Sequence, residues 1–320
     1  MCLYAASSSL AVSLLISPQY IENRLAQEYN ITLIKDDSVN GSCSCSDDSN
    51  SSNNTALQKQ QQIAAETASW LIISTVLVYL PSLFISPLYG SWGDHLGQRK
   101  IPIIIPIVSN CLYLLLLILS VYADLPIAVY VSVALINGLG GGLTLFIAGC
   151  FSYITDVYSS EKARTFRFAL LISAGNVSIG LVQLPFGYLV EYYGVIPPLC
   201  SMLLLSIVAL VYIILLDRDH ESPSSGRQSR TSSRSTTMAD ILRGVSDLFS
   251  NNHMKRRNRI GAILVLFVVL CVIHASEAGM QILRIYGIGP PFCWSSVTLG
   301  YFNFIVQISS NLGKMHFQLL

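Results

Sequence analysis

Long apolar runs free of basic residues set the first limit on what this chain can fold into. Residues 72–89, 101–122, 127–154, 168–190, 196–216 and 260–280 each contain no Lys or Arg. Crossing about 30 Å of hydrocarbon takes roughly 20 helical residues, and without water there the backbone must pair within its own helix. Six spans follow, and with them an all-α membrane protein. Of the 320 residues only 12% are charged, about half the roughly 25% of a soluble domain. Two weaker candidates flank the six: residues 3–20, and residues 297–312, which include Asn303, Gln307, Ser309, Ser310 and Asn311. The first has no basic stretch before it and no small-residue cleavage site, so it reads as a span and not as a removed leader. The expectation is eight spans.

The net charge of +1 conceals a strong sidedness. With alternate loops on opposite sides, fourteen basic residues from Arg99 to Arg259 fall together, against Arg24, Lys35, Lys59 and Arg284 opposite. The positive-inside rule then predicts a cytoplasmic amino terminus and a cytoplasmic central loop. On the outer side, residues 21–67 form a loop with four acceptor patterns, at Asn30, Asn40, Asn50 and Asn53, for which glycosylation is expected. Cys43, Cys45 and Cys293 share that oxidising side. A bond between the first two, one residue apart, is strained, so Cys293 is expected to pair with Cys43 or Cys45.

Between the sixth and seventh spans, residues 217–259 are polar and read as a cytoplasmic linker. Within it, Ile241, Leu242, Val245, Leu248 and Phe249 recur at helical spacing, which predicts an amphipathic helix over 238–250. This loop is taken as the boundary between a first bundle, 1–216, and the start of a second, 260–320.

After the second span comes Gly90-Ser91-Trp92-Gly93-Asp94-His95-Leu96-Gly97-Gln98-Arg99-Lys100. It resembles the loop signature of the major facilitator superfamily, matching at Gly90, Asp94, Gly97 and Arg99 and departing at His95 and Gln98. Gly90 would permit close helix approach, and Asp94 would sit near a helix amino terminus. Pro290-Pro291-Phe292-Cys293-Trp294-Ser295, and Tyr153-Ile154-Thr155-Asp156-Val157 leading to Arg164-Thr165-Phe166-Arg167, resemble solute carrier family 46, the branch of the proton-coupled folate transporter and its lysosomal and thymic relatives. The resemblance implies a major facilitator fold with one complete six-helix bundle and about two helices of the second. It also implies alternating-access transport of organic anions or amphipathic metabolites, coupled to protons, in the plasma or lysosomal membrane. A cysteine of the first outer loop bonds the one in the Pro/Cys/Trp stretch in that branch, similar to the pairing expected here. Because the family's chains carry two six-span bundles, this one reads as truncated at its carboxyl end, and a non-transporting receptor or regulatory isoform is the alternative.

Polar groups inside spans are costly and commonly face a cavity. Asn110, Asn137, Asn176, Gln183, His274, Glu277 and Gln281 are therefore the candidates. His274 and Glu277, three apart on one helix face, could exchange a proton. Counting back from Cys293, the folate carrier's intramembrane histidine falls nearer Ser276, which argues against folate as the solute. Glycines at 138, 140, 141 and 142, and at 175, 180 and 187, suit close packing or bending of helices that rock. The sequence shows no Ser/His/Asp grouping, metal-ligand spacing or phosphate loop, so no enzyme, cofactor, metal or nucleic-acid partner is expected; the expected partners are the lipid bilayer, a small solute and protons.

Overall fold

The computed structural model describes residues 12–29, 51–96, 101–158, 160–219, 265, 268, 279–288, 292 and 294–319. Among them every regular element is helical. A π-helical turn, Val12–Ile16, leads into α1, Ser17–Glu28, and α2 runs 46 residues from Ser51 to Leu96. Then come α3, Ile101–Tyr122, and three segments of one broken span: α4, Ile127–Ser132, α5, Ala134–Leu139, and α6, Gly142–Val157. Next come α7, Glu161–Tyr193, and α8, Ile196–Asp219. Residues 279–288 are helical, and α9 spans Ser296–Leu319.

Five stretches are long and apolar enough to cross a membrane among the described residues: Gln58–Gly90, Ile101–Tyr122, Ile127–Val157, Glu161–Tyr193 and Ile196–Leu215. They correspond to the second through sixth expected spans. Most of the seventh, 260–280, lies outside the described residues. Their apolar side chains divide between a core and an outward surface, as in Leu114 and Leu117, buried, against Leu112, Leu115 and Leu119, exposed. That exposed face is what lipid would cover.

Several helix ends differ from the sequence reading. The outer loop expected over 21–67 is helical at both ends, because α1 continues to Glu28 and α2 begins at Ser51. Ile21, Leu25 and Ala26 carry the buried stripe of α1 onward, and Gln60, Ile63 and Thr67 supply a matching stripe on α2. Polar residues hid these stripes from a hydropathy reading: Glu22 is itself buried, and Arg24 turns to the connection between α3 and α4. There its Nη1 meets Asp124 Oδ1 at 3.2 Å and its Nη2 donates to Asp124 O at 2.8 Å. Just past α1, Tyr29 donates to Glu66 Oε1 at 2.9 Å. Of the four acceptor patterns, Asn53 lies in the first turn of α2, while Asn30, Asn40 and Asn50 lie outside the described residues. So do Cys43, Cys45, Cys293 and the amphipathic stretch 238–250.

The glycines of the fourth span both bend and pack. Gly141 and Gly142 have φ of 77° and 52°, a backbone that side chains resist, and this separates α5 from α6. Ser82 Oγ of α2 donates to the Gly141 carbonyl at 2.9 Å. A Cβ on Gly138 would lie 2.6 Å from the carbonyl oxygens of Leu77 and Val78, so α5 and α2 touch backbone to backbone. Asn137, buried, sits beside this break, its oxygens 3.7 and 3.8 Å from where a Gly142 Cβ would be.

Candidate functional site

Asn176, Gly180, Gln183, Gly187 and Glu191 follow one another on α7 in steps of four, three, four and four residues. Ser296, Gly300, Asn303, Gln307 and Asn311 repeat those steps on α9. Such steps track the helical repeat of 3.6 residues, so each set forms a stripe nearly along its axis. All ten residues are small or polar, and the two stripes face each other in antiparallel order. This contact between α7 and α9 is the most extensive between any two helices among the described residues.

The pairing runs the length of the seam. Asn176 Nδ2 donates to Asn311 Oδ1 at 3.3 Å. A Cβ on Gly180 would lie 3.2 Å from Gln307 Cβ. A Cβ on Gly300 would lie 2.8 Å from the Gln183 carbonyl, and one on Gly187 2.8 Å from the Ser296 carbonyl. At the far end Glu191 Oε2 accepts the backbone N–H of Ser296 at 3.0 Å, placing a carboxylate at the positive end of α9. Small residues let helices in a membrane approach to backbone contact, and polar residues hold them there. On one flank, Tyr188 and Tyr301 share a hydroxyl hydrogen bond of 2.8 Å.

The seam meets two more elements at its Glu191 end. Ser296 Oγ donates to Gln19 Oε1 at 2.8 Å, and the Val12–Ile16 turn packs on both α7 and α9. Ser17 Oγ and Tyr130 OH lie 3.0 Å apart, and the Tyr20 and Tyr130 rings 4.5 Å, which ties α1 to α4. From residues 279–288, Arg284 enters with 2% of its surface exposed, its Nε donating to Asn303 Oδ1 at 2.6 Å. By the register of the seam, Asn303 falls at the level of Gln183. Gln183 is fully buried, and neither Oε1 nor Nε2 has a hydrogen-bond partner among the described residues.

Of the sequence candidates, Asn176 and Gln183 belong to this seam, and Gln281 lies half-buried one turn before Arg284. Asn110 does not: its Nδ2 donates to Ser206 Oγ at 3.2 Å and joins α3 to α8. Asn137 sits at the α5/α6 break. His274 and Glu277 lie outside the described residues. Gly90 and Asp94 lie within α2, whose helix continues to Leu96, so Asp94 stands near that helix's carboxyl end and not at an amino terminus. A Cβ on Gly90 would meet nothing within 4 Å, and the close approach expected of it is absent among the described residues. Gly97 and Arg99 lie outside them. At the α6/α7 turn, Arg164 Nε donates to the Tyr158 carbonyl, and the Arg167 guanidinium lies 3.8 Å over the Tyr158 ring. Both arginines of the second loop motif thus converge on one residue, while Asp156 lies in α6.

Arg284 and Glu191 were missed from sequence. By hydropathy the seventh span ends at residue 280, which makes Arg284 an outer-loop charge, whereas the helix continues to 288. Glu191 lay one residue beyond the apolar run 168–190. The signal that could have found it is the stripe from Asn176, continued by one more step.

Comparison with known proteins agrees with this architecture. The chain is 27% identical over 300 residues to the lysosomal proton-coupled steroid conjugate and bile acid symporter SLC46A3 of Gallus gallus, covering 93% of this chain and 62% of that protein. The Rattus norvegicus protein of the same name is 29% identical over 317 residues, covering 98% and 64%. The Rattus norvegicus proton-coupled folate transporter is 25% identical over 300 residues, covering 93% and 60%. The chain thus spans less than two thirds of the length of these relatives, which are named as transporters and not as enzymes. The family model of the Major Facilitator Superfamily matches residues 6–317, and with its apolar spans and relatives in solute carrier family 46 this multi-pass membrane chain belongs to that superfamily.

Proposed function

We propose that the protein is a secondary transporter that moves a small organic solute across its membrane by alternating access, coupled to protons. The observation that carries this reading is the α7/α9 seam, which joins a helix before the central linker to one after it. Alternating access is largely rigid-body rocking of one bundle against another about a site between them. A seam whose facing stripes are glycines, amides and other small or polar residues suits two helices that change contact during such a motion.

Proton coupling is proposed from the relatives' names and from His274 and Glu277, whose spacing of three would put an imidazole and a carboxylate on one face of a helix. The excess of basic residues in alternate loops supports a cytoplasmic amino terminus and cytoplasmic residues 217–259, in the membrane of the lysosome or the cell surface. The outer cysteines, as Cys293 with Cys43 or Cys45, and glycans at Asn30, Asn40, Asn50 and Asn53 belong to the same topology.

Reconstitution tests the reading. The purified protein in liposomes should accumulate a conjugated organic anion when the outside is acidic, and a protonophore should abolish that accumulation. His274→Ala and Glu277→Gln should flatten the pH dependence. Folded protein that accumulates no more solute than protein-free liposomes would identify a non-transporting membrane component instead.

A further inference from the structure

Three side chains at the middle of the α7/α9 seam contribute little to joining the two helices. Gln183 is fully buried with both ends of its amide unpartnered. Asn303, fully buried as well, accepts from Arg284 at Oδ1, while its Nδ2 has no partner among the described residues. Arg284 comes from outside the pair and brings a positive charge to that level at 2% exposure. A buried amide with no partner is destabilising and calls for an explanation. A guanidinium inside a membrane protein marks a functional position. Helix packing does not require any of the three: at the neighbouring level Gly187 and Gly300 achieve contact without side chains.

We infer that Gln183, Asn303 and Arg284 form a subsite for the anionic oxygen group of the solute: a carboxylate, sulfate or sulfonate. The guanidinium supplies the charge, in the planar fork that suits such groups. Asn303 Nδ2 and Gln183 Nε2 add neutral donors. Gln183 Oε1 is an acceptor that an anion leaves unsatisfied, so the favoured solute also carries a hydroxyl or amide N–H near its charged end. The solute's passage rests on the transport reading above, but its binding does not.

Binding is tested on the full chain in detergent by thermal unfolding, with a steroid sulfate and the same steroid bearing a free hydroxyl as probes. The sulfate should raise the unfolding midpoint and the neutral parent should not. Arg284→Gln should weaken the apparent affinity for the sulfate about tenfold or more, as expected for a lost charge-assisted hydrogen bond. Gln183→Leu covers the case in which the arginine variant does not fold. It should raise the midpoint without ligand, since it removes an unpaired amide, and should shrink the response to the sulfate. Equal shifts from the two probes, or a Gln183→Leu protein that keeps the full sulfate response, would overturn the subsite. Sulfate binding without gradient-driven uptake supports the subsite and removes the transport reading. Uptake that does not discriminate the two probes does the reverse.

Discussion

Replacing Gly300 by Ala puts the seam to a quantitative test. In an open helical position Gly→Ala stabilises by about 0.8–1.0 kcal/mol, through backbone entropy. At Gly300 the new methyl would stand 2.8 Å from the Gln183 carbonyl oxygen, where ordinary contact begins at 3.4 Å. The helices must part there by the difference, and overpacking of this kind costs about 1–3 kcal/mol. The net expectation is a loss of about 1 kcal/mol, or roughly 2–4 °C in the unfolding midpoint. Gly187→Ala meets the Ser296 carbonyl at the same 2.8 Å and should behave alike. Because a Gly300 Cβ would lie 3.5 Å from Gly187 Cα, one opening accommodates both methyls. The double variant should therefore lose about 0.5 kcal/mol less than the sum of the singles. Gly90→Ala is the control: nothing among the described residues lies within 4 Å of its Cβ position, so the propensity gain should appear undiminished. The assay is thermal unfolding of the purified protein in detergent. If Gly300→Ala and Gly187→Ala are stabilised as much as Gly90→Ala, the backbones do not touch and the seam is wrongly drawn.

Gly141→Ala should lose about 1–2 kcal/mol, from the cost of a left-handed backbone; the φ there is 77° and a methyl would also stand 2.7 Å from Leu145 Cβ. Thermal unfolding again decides, and a neutral result would mean that the α5/α6 break closes into continuous helix. The Arg24–Asp124 pair, with the Asp124 side chain 81% exposed, should contribute less than about 1 kcal/mol; a double-mutant cycle showing strong, salt-insensitive coupling would contradict that. Tyr29 titrates above the ordinary tyrosine range because its hydroxyl donates to the Glu66 carboxylate. Since its folded-state value lies above the unfolded one, the stabilisation is complete below the ordinary tyrosine range and is lost as pH rises through the raised value. Glu66→Ala should move that phenolate titration down, read by absorbance against Tyr29→Phe, and an unmoved titration rules out the hydrogen bond as its cause.

How the spans lie in one dimension was legible from residue types alone. A run such as 101–122 is apolar over most of its length, and the cost of an unpaired backbone in hydrocarbon leaves it little choice but helix. The loop signature at Gly90 and the Pro/Cys/Trp stretch near Cys293 likewise carried the family resemblance without any coordinates. Helix ends were less legible, because a polar residue reads as a loop wherever it stands. Glu22, Gln60 and Arg284 are all buried on helices, each kept there by a neighbour in space that hydropathy does not register.

The candidate site divides in the same way. Asn110, Asn176 and Gln183 are equally polar residues in equally apolar spans, so sequence could name them but not rank them. Tertiary structure separates them by what stands opposite: Ser206 of α8 for Asn110, Asn311 of α9 for Asn176, and no hydrogen-bonding partner among the described residues for Gln183. The chain alone therefore determined that it crosses a membrane many times as helices, because that follows from the transfer cost of each segment taken singly. Only the fold decided that the α7 and α9 stripes meet in register and that a buried arginine stands at their middle, because register is a property of two surfaces together.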